Sequence, residues 1–167
     1  MNLWKRIRKL SLKQMFHLSF AFLKRPMLIG PTLKATRRTL SISYELFGGA
    51  HHRNGKANAF RHALWNILIC KNVQKRTKNT EKSVNWAKKI TFLYEKVTKN
   101  EKMDQKMDLH NNALGRAWFL SNIDENEAKL VDFIQKKLEN ARKIEENDTL
   151  TNYNECLIYI SEEPPHV

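Results

Sequence analysis

Apolar residues recur every three or four positions along most of the chain, and the residues that break such a pattern are gathered near its two ends. All four prolines lie at positions 26, 31, 164 and 165, and Gly115 is the only glycine between Lys56 and Glu163, so more than a hundred consecutive residues carry one breaker. Long helices are the expected consequence. Over residues 3–24, Leu3, Trp4, Ile7, Leu10, Met15, Leu18 and Phe22 keep helical spacing with Lys and Arg between them, which predicts a basic amphipathic helix. The Pro26–Pro31 stretch ends it. A second helix is expected over Thr32–Phe47, built on Leu33, Leu40, Tyr44 and Phe47 and closed by Gly48-Gly49. Residues 50–56, with His51-His52 and the turn-forming Asn54-Gly55, read as a loop able to frame a site.

Four further segments follow. Lys56–Lys75 is apolar nearly all round, through Phe60, Leu64, Trp65, Ile67, Leu68 and Ile69, and is expected to be the central helix. Thr80–Thr98 carries Val84, Trp86, Ile90, Leu93 and Val97; Met103–Ser121 mixes apolar residues with a polar cluster. A helix over Asp124–Ile144 begins with Asp124, Glu125 and Glu127, suited to the positive end of its dipole, and carries Leu130, Phe133, Ile134 and Leu138. The last stretch, Asn147–Ile160, ends in the apolar run Cys156 to Ile160, a last helix or a strand between which periodicity does not decide; with no partner strand in sight, helix is the preferred reading. The predicted fold is all-α: one compact helical domain of five to seven helices over residues 31–163, preceded by a basic amphipathic arm over residues 1–30.

Charge sharpens this division. The chain holds 30 Lys+Arg against 17 Asp+Glu, a formal net charge of +13, yet residues 1–44 contain ten basic residues and no acid. The remainder is nearly balanced. A hydrophobic fraction of 41% and a charged fraction of 28% suit a folded domain, not a disordered basic tail. Five glycines, four prolines and two cysteines exclude a collagen-like chain or a disulfide framework, and no apolar run is long enough for a membrane span. The N-terminus imitates a secretion signal, but Lys24, Arg25 and Pro26 stand where small residues would be cleaved, so the segment is kept in the fold. Cys70 and Cys156 are expected to be buried thiols in a reducing compartment. The expected location is cytoplasmic, with peripheral attachment at the inner face of the membrane.

Two polar clusters interrupt otherwise apolar helices: Asn58-Ala-Phe-Arg61-His62-Ala-Leu-Trp65-Asn66 and Met107-Asp108-Leu-His110-Asn111-Asn112-Ala-Leu-Gly115-Arg116. Asn58 and His62 are one helical turn apart, as are Arg61 and Trp65, a pair suited to guanidinium over indole, and Asp108 and Asn112. Burying such groups without partners costs about 1–3 kcal/mol each, so the clusters are expected to satisfy one another. They then either hold the helices in register or form a site. In the second case His62 serves as a general base, Asp108 orients it or binds a cation, and Arg61, Asn58, Trp65, Asn111, Asn112 and Arg116 bind substrate. A divalent metal of undefined identity would draw its ligands from His62, Asp108 and His110. Gly115 allows a close approach by another backbone or a ligand. Read alone, Glu95 is an acid in a Lys-rich stretch and is expected to be exposed. His51 and His52 read as solvated loop residues.

The run from Asn58 to Asn66, an acid-bearing helix, and the run from Met107 to Arg116 together resemble an uncharacterised bacterial helical domain family, over about residues 44–120. Its members occur as small stand-alone proteins and at the C-terminal ends of large polymorphic-toxin-like proteins. The resemblance carries over Arg61, His62, Trp65, Glu95, Asp108, Asn111, Asn112 and Arg116, and it implies that Glu95 joins Asp108 in orienting His62 or is a fourth candidate ligand of the metal. Where the family usually has a His-Glu pair, this chain has Tyr94-Glu95, which weakens a metal-site or two-histidine mechanism at this position. What the resemblance implies is a shared fold and site, with a toxin-type hydrolase as the activity. The alternative is a non-catalytic module that docks its basic N-terminal helix on an anionic surface, membrane first and nucleic acid second. No protein partner is indicated by the sequence.

Overall fold

The computed structural model describes residues 22–98, 101–146 and 148–162. The predicted helix over residues 3–24 therefore lies almost wholly outside the described residues. Five α-helices account for most of the rest: α1 (Ile29–Phe47), α2 (Lys56–Thr77), α3 (Thr80–Thr98), α4 (Lys102–Ser121) and α5 (Glu127–Glu139). The all-α reading holds, as a compact helical domain with almost no strand. Among the described residues, no helix is long and apolar enough to cross a membrane.

Helix α2 is the axis of the domain. It packs against α1, α3, α4 and α5, as an all-round apolar helix must. Phe60, Leu64, Ile67, Ile69, Cys70 and Val73 are fully buried along it. Two indoles tie α1 to its neighbours, each through a hydroxyl on α1: Trp86 Nε1 donates to Thr32 Oγ1 and Trp65 Nε1 to Thr36 Oγ1, both at 2.9 Å. Buried Trp is tolerated where its N–H finds such an acceptor.

The sharpest fit lies between α2 and α4. A Cβ built on Gly115 would stand 2.3 Å from the Ala63 carbonyl oxygen and 2.9 Å from Ala63 C and Cα. Of the two readings of Gly115, the structure shows the helix crossing. Because the two backbones touch at that point, the polar residues one and two turns earlier on α4 face those on α2.

Three element bounds depart from expectation. Helix α1 starts at Ile29, three residues before Thr32, and holds Pro31 in its first turn, where the missing N–H has no intrahelical partner to lose. Helix α5 is shorter at both ends than the predicted 124–144. Asn126 caps it by accepting from the Lys129 amide, so the acids at 124 and 125 precede the helix, and Asn140 ends it. Beyond it the chain is extended, and here the helix expected over 147–160 is corrected. A 3-10 turn (Leu150–Tyr153) is followed by β2 (Ile158–Tyr159), which pairs in parallel with β1 (Arg142–Lys143). The missing partner strand is the stretch just after α5, and the two-residue ladder is too short to leave an alternating pattern. Residues 50–52, the start of the stretch read as loop, wind together with Gly48-Gly49 into a 3-10 turn.

Candidate functional site

Three helices each contribute one titratable group to a common point. His62 comes from α2, Glu95 from α3 and Asp108 from α4. One donor atom of each lies within 4.8 Å of the others, and all three residues are buried. The imidazole stands between the two acids: Nδ1 is 3.5 Å from Glu95 Oε1 and Nε2 is 3.2 Å from Asp108 Oδ1. Glu95 is 0% exposed, which corrects its reading as a solvated acid. Its Lys neighbours occupy the outer face of α3, while the helical period turns position 95 inward with Thr91 and Ala87.

Two further polar groups flank the ring nitrogens of His62. Asn112 Oδ1 lies 3.2 Å from Nδ1, and Arg61 Nη2 lies 2.8 Å from Nε2. A guanidinium only donates, so Nε2 accepts; the Asn112 carbonyl only accepts, so Nδ1 carries the hydrogen. These two contacts suit the tautomer with its hydrogen on Nδ1 and turn Nε2 towards Arg61 and Asp108. Glu95 is held well above the ordinary value of 4.5, first by burial and then by the charge of Asp108, against the lowering effect of Asn112 and Arg61.

An amide relay extends the site. Asn66, one turn after His62, donates through Nδ2 to Asn112 Oδ1 at 2.6 Å and to the His62 carbonyl at 3.1 Å. Its Oδ1 accepts from Arg116 Nη1 at 2.9 Å and from Thr91 Oγ1 at 3.3 Å. Asn112 Nδ2 in turn donates to Glu95 Oε1 at 3.3 Å. On the other side Arg61 Nη2 donates to Asn58 Oδ1 at 2.8 Å; Asn58 Nδ2 reaches Asn54 Oδ1 at 3.4 Å, whose Nδ2 reaches Asp104 at 2.7 Å. Trp65 packs edge-on against both His62 and Tyr94 and, half-buried with Tyr94, forms the outer wall. The spacing of four that placed Asn58 below His62 also places Asn66 above it, so Asn66 was findable as a site residue; Thr91 had no such signal, since its role depends on how α3 packs.

Two residues expected in the site stand elsewhere. Asn111 bonds the backbone of Ile158 on both sides, donating to its carbonyl at 2.9 Å and accepting from its amide at 3.0 Å. It holds the C-terminal segment and does not face the centre. His110 Nε2 meets the Cys156 carbonyl at 3.0 Å, and burial holds its imidazole below the usual value, so of the four metal candidates it is the one outside the cluster. Consecutive helix positions point about 100° apart, which is why residues 110 and 111 leave the face of 108 and 112. His51 is buried, with Nδ1 2.6 Å from the Gly48 carbonyl and its ring 3.9 Å from that of His52. Cys70 is a buried free thiol pushed up to about 12 by desolvation, and Cys156 is a half-buried one.

A family model matches residues 19–142, a span that holds all five helices and every side chain of the cluster. The chain belongs to the DUF6973 family. That family is described as a domain of unknown function, so membership carries the helical core and no reaction. The DUF6973 span stops at Arg142, before β2, so the clasp between Asn111 and Ile158 joins the family core to a segment beyond it. Neither the curated proteins nor the solved structures include a match to this DUF6973 chain.

Proposed function

We propose that this domain is a hydrolase whose reaction centre is a divalent cation held by His62, Glu95 and Asp108. The observation that carries the reading is the convergence of one imidazole and two carboxylates, from three helices, at a buried point. Two acids sharing a desolvated site repel, and a cation relieves that repulsion more fully than a single shared proton. One nitrogen and carboxylate oxygens suit zinc or manganese, and three protein ligands leave coordination positions for water and substrate. A cation so held activates water at neutral pH. Around it, this chain's own residues bind and orient. Asn112 holds the Nδ1–H of His62 and one oxygen of Glu95, while Asn66 holds Asn112. Such outer partners commonly set affinity by factors of about 10–100.

The test is hydrolysis of a panel of phosphate, carboxylic and glycosidic esters by metal-stripped protein, by protein resupplied with zinc or manganese, and by Asp108→Asn. Activity restored by metal and absent in Asp108→Asn supports the reading; metal-independent activity, or an Asp108→Asn variant as active as the parent, overturns it.

A second reading, docking on an anionic membrane surface at the cytoplasmic face, is favoured by a separate observation. All ten basic residues of the first 44 stand without an acid among them, and within the described part Lys24, Arg25, Lys34 and Arg37 alternate with exposed Leu23, Met27, Leu33 and Tyr44. Charge attraction and apolar insertion add at a membrane interface. Full-length protein is expected to float with vesicles containing phosphatidylserine, to release them at high salt, and to ignore phosphatidylcholine vesicles. Protein that stays at the bottom with both vesicle types contradicts this reading; a salt-sensitive shift of nucleic acid in its place assigns the arm to that partner.

A further inference from the structure

Helices α2 and α4 lie side by side and run in the same direction: Asn54, just ahead of α2, meets Asp104, His62 meets Asp108, and Asn66 meets Asn112 and Arg116. After the cluster their backbones touch, where Gly115 lies against Ala63. Before it, the link is a side chain. Asn54 Nδ2 donates to Asp104 Oδ1 at 2.7 Å, and Asn54 Oδ1 accepts from Asn58 Nδ2 at 3.4 Å. Asp104 stands one turn before Asp108 on α4, and Asn58 one turn before His62 on α2. A single carboxamide therefore joins the two helices one turn ahead of the point where His62 Nε2 and Asp108 Oδ1 approach to 3.2 Å.

The C-terminal segment holds Asn54 in turn. The Asn54 carbonyl accepts from two successive amides, Ile160 at 2.9 Å and Ser161 at 3.2 Å. The same segment is fastened to α4 by Asn111, which bonds both the amide and the carbonyl of Ile158, and by His110, which meets the Cys156 carbonyl. Lys56 Nζ lies 5.5 Å from the centre of the Tyr159 ring, a further tie to the start of α2. Leu157 and Ile158 are fully buried, so the segment is packed into the domain and bridges the start of α2 and the middle of α4.

We propose that Asn54 is a positioning residue for the centre formed by His62, Glu95 and Asp108: anchored by the C-terminal segment, it keeps α2 and α4 from parting and so sets the affinity of the site for a divalent cation. This rests on the metal centre of the hydrolase reading. The Ala63–Gly115 contact is a steric stop, which limits how closely the helices approach and does nothing to hold them together. The Asn54–Asp104 bond resists separation, and it does so next to the ligands. A divalent cation needs its nitrogen and oxygen ligands at about 2.0–2.2 Å, so a small widening between His62 and Asp108 is felt directly as lost affinity. An asparagine that only shaped its own turn would leave the ligand geometry alone.

Cobalt(II) is the probe, because its visible absorption bands report the number and arrangement of its ligands. The full chain is expected to bind one ion and show these bands. Asn54→Ser is expected to weaken binding about tenfold and to alter the bands. Asn54→Asp sets a second carboxylate against Asp104 and weakens binding further; combined with Asp104→Asn it remakes the bond with donor and acceptor exchanged and restores affinity to within about twofold of the parent. Ile160→Pro, which removes the nearer amide from the Asn54 carbonyl, moves affinity in the same direction as Asn54→Ser. Ile134→Val, a core change on α5, lowers the melting temperature and leaves the bands in place, which separates positioning from loss of stability. Should the Asn54 variants not fold, the side-chain amide resonances of Asn54 are followed in the parent, where zinc is expected to shift them. A folded Asn54→Ser with the parent's affinity and bands, an exchanged pair that restores neither, an Ile160→Pro protein that binds as the parent does, Ile134→Val bands that move as far, or Asn54 resonances unmoved by zinc each overturns the proposal and leaves the metal centre standing. A parent that takes up no cobalt overturns the metal centre itself and the proposal with it.

Discussion

Gly115→Ala lowers the melting temperature by roughly 4–12 °C, the shift that a loss of about 2–3 kcal/mol produces in a domain of this length. Two effects oppose each other at this position. Alanine is the better helix former, worth about 1 kcal/mol over glycine inside a helix. Against that, the added methyl would stand 2.3 Å from the Ala63 carbonyl oxygen and 2.9 Å from two further backbone atoms of Ala63. Backbone cannot rotate aside as a side chain can, so relief requires α2 and α4 to separate, and overlap wins. Separation also pulls Asp108 and Asn112 away from His62 and Asn66, so the variant is expected to lose metal affinity along with stability. Ala63→Gly gives no rescue, because none of the three atoms met is the Ala63 methyl. A thermal melt of the two variants and their combination decides the matter; a Gly115→Ala protein as stable as the parent would show that the crossing has room that the structure denies.

Glu95→Gln is expected to stabilise the metal-free protein at neutral pH and to destabilise it relative to the parent once metal is added. Burial and the neighbouring Asp108 hold the Glu95 carboxyl well above 4.5. In the window from 4.5 up to that raised value the folded chain keeps a proton that the unfolded chain has released, so the parent loses stability as pH rises through it. Below pH 4.5 both states are protonated and the variant, whose amide mimics the neutral acid in shape, melts close to the parent. The gap opens as pH rises through the window and stays open above it. Saturating zinc reverses the order, since a ligand that binds the folded state adds stability in proportion to the logarithm of its concentration over its dissociation constant, and the variant's neutral amide no longer helps to hold it. Melts from pH 4 to 8, with chelator and with metal, check both signs; a variant less stable than the parent in chelator across this range would mean that the ionised carboxylate is itself a stabilising partner in the network.

The core helices were legible in the sequence because their cause is local. Three-or-four spacing and the absence of breakers placed α2 and α3 nearly to the residue, and the all-round apolar character of Lys56–Lys75 marked it as central. Departures arose where one contact outweighs periodicity: Asn126 accepting from an amide and so resetting the start of α5, or Arg142 and Ile144 bonding Leu157 and Tyr159 and so turning an apolar run into a strand. Of the site, His62, Asp108, Asn112, Arg61 and Arg116 were found by their interruption of apolar faces. Glu95 was not, since its helix shows Lys on most sides and only packing against α2 and α4 buries it; the family resemblance alone singled it out. Asn111 and His110 show the converse, polar residues inside a motif whose partners are backbone carbonyls and amides of the C-terminal segment.

Between a polar network that only keeps three helices in register and a centre that holds a cation, the deciding quantity is metal bound per folded chain. Zinc and manganese titrated calorimetrically into metal-stripped protein are predicted to fill one site per chain. Affinity should fall by about 100-fold or more in each of His62→Gln, Glu95→Gln and Asp108→Asn. It should be unchanged in His110→Gln, whose ring faces Cys156. A parent protein that takes up no metal, or one whose affinity survives loss of all three groups, would contradict the account and leave the cluster as a structural network.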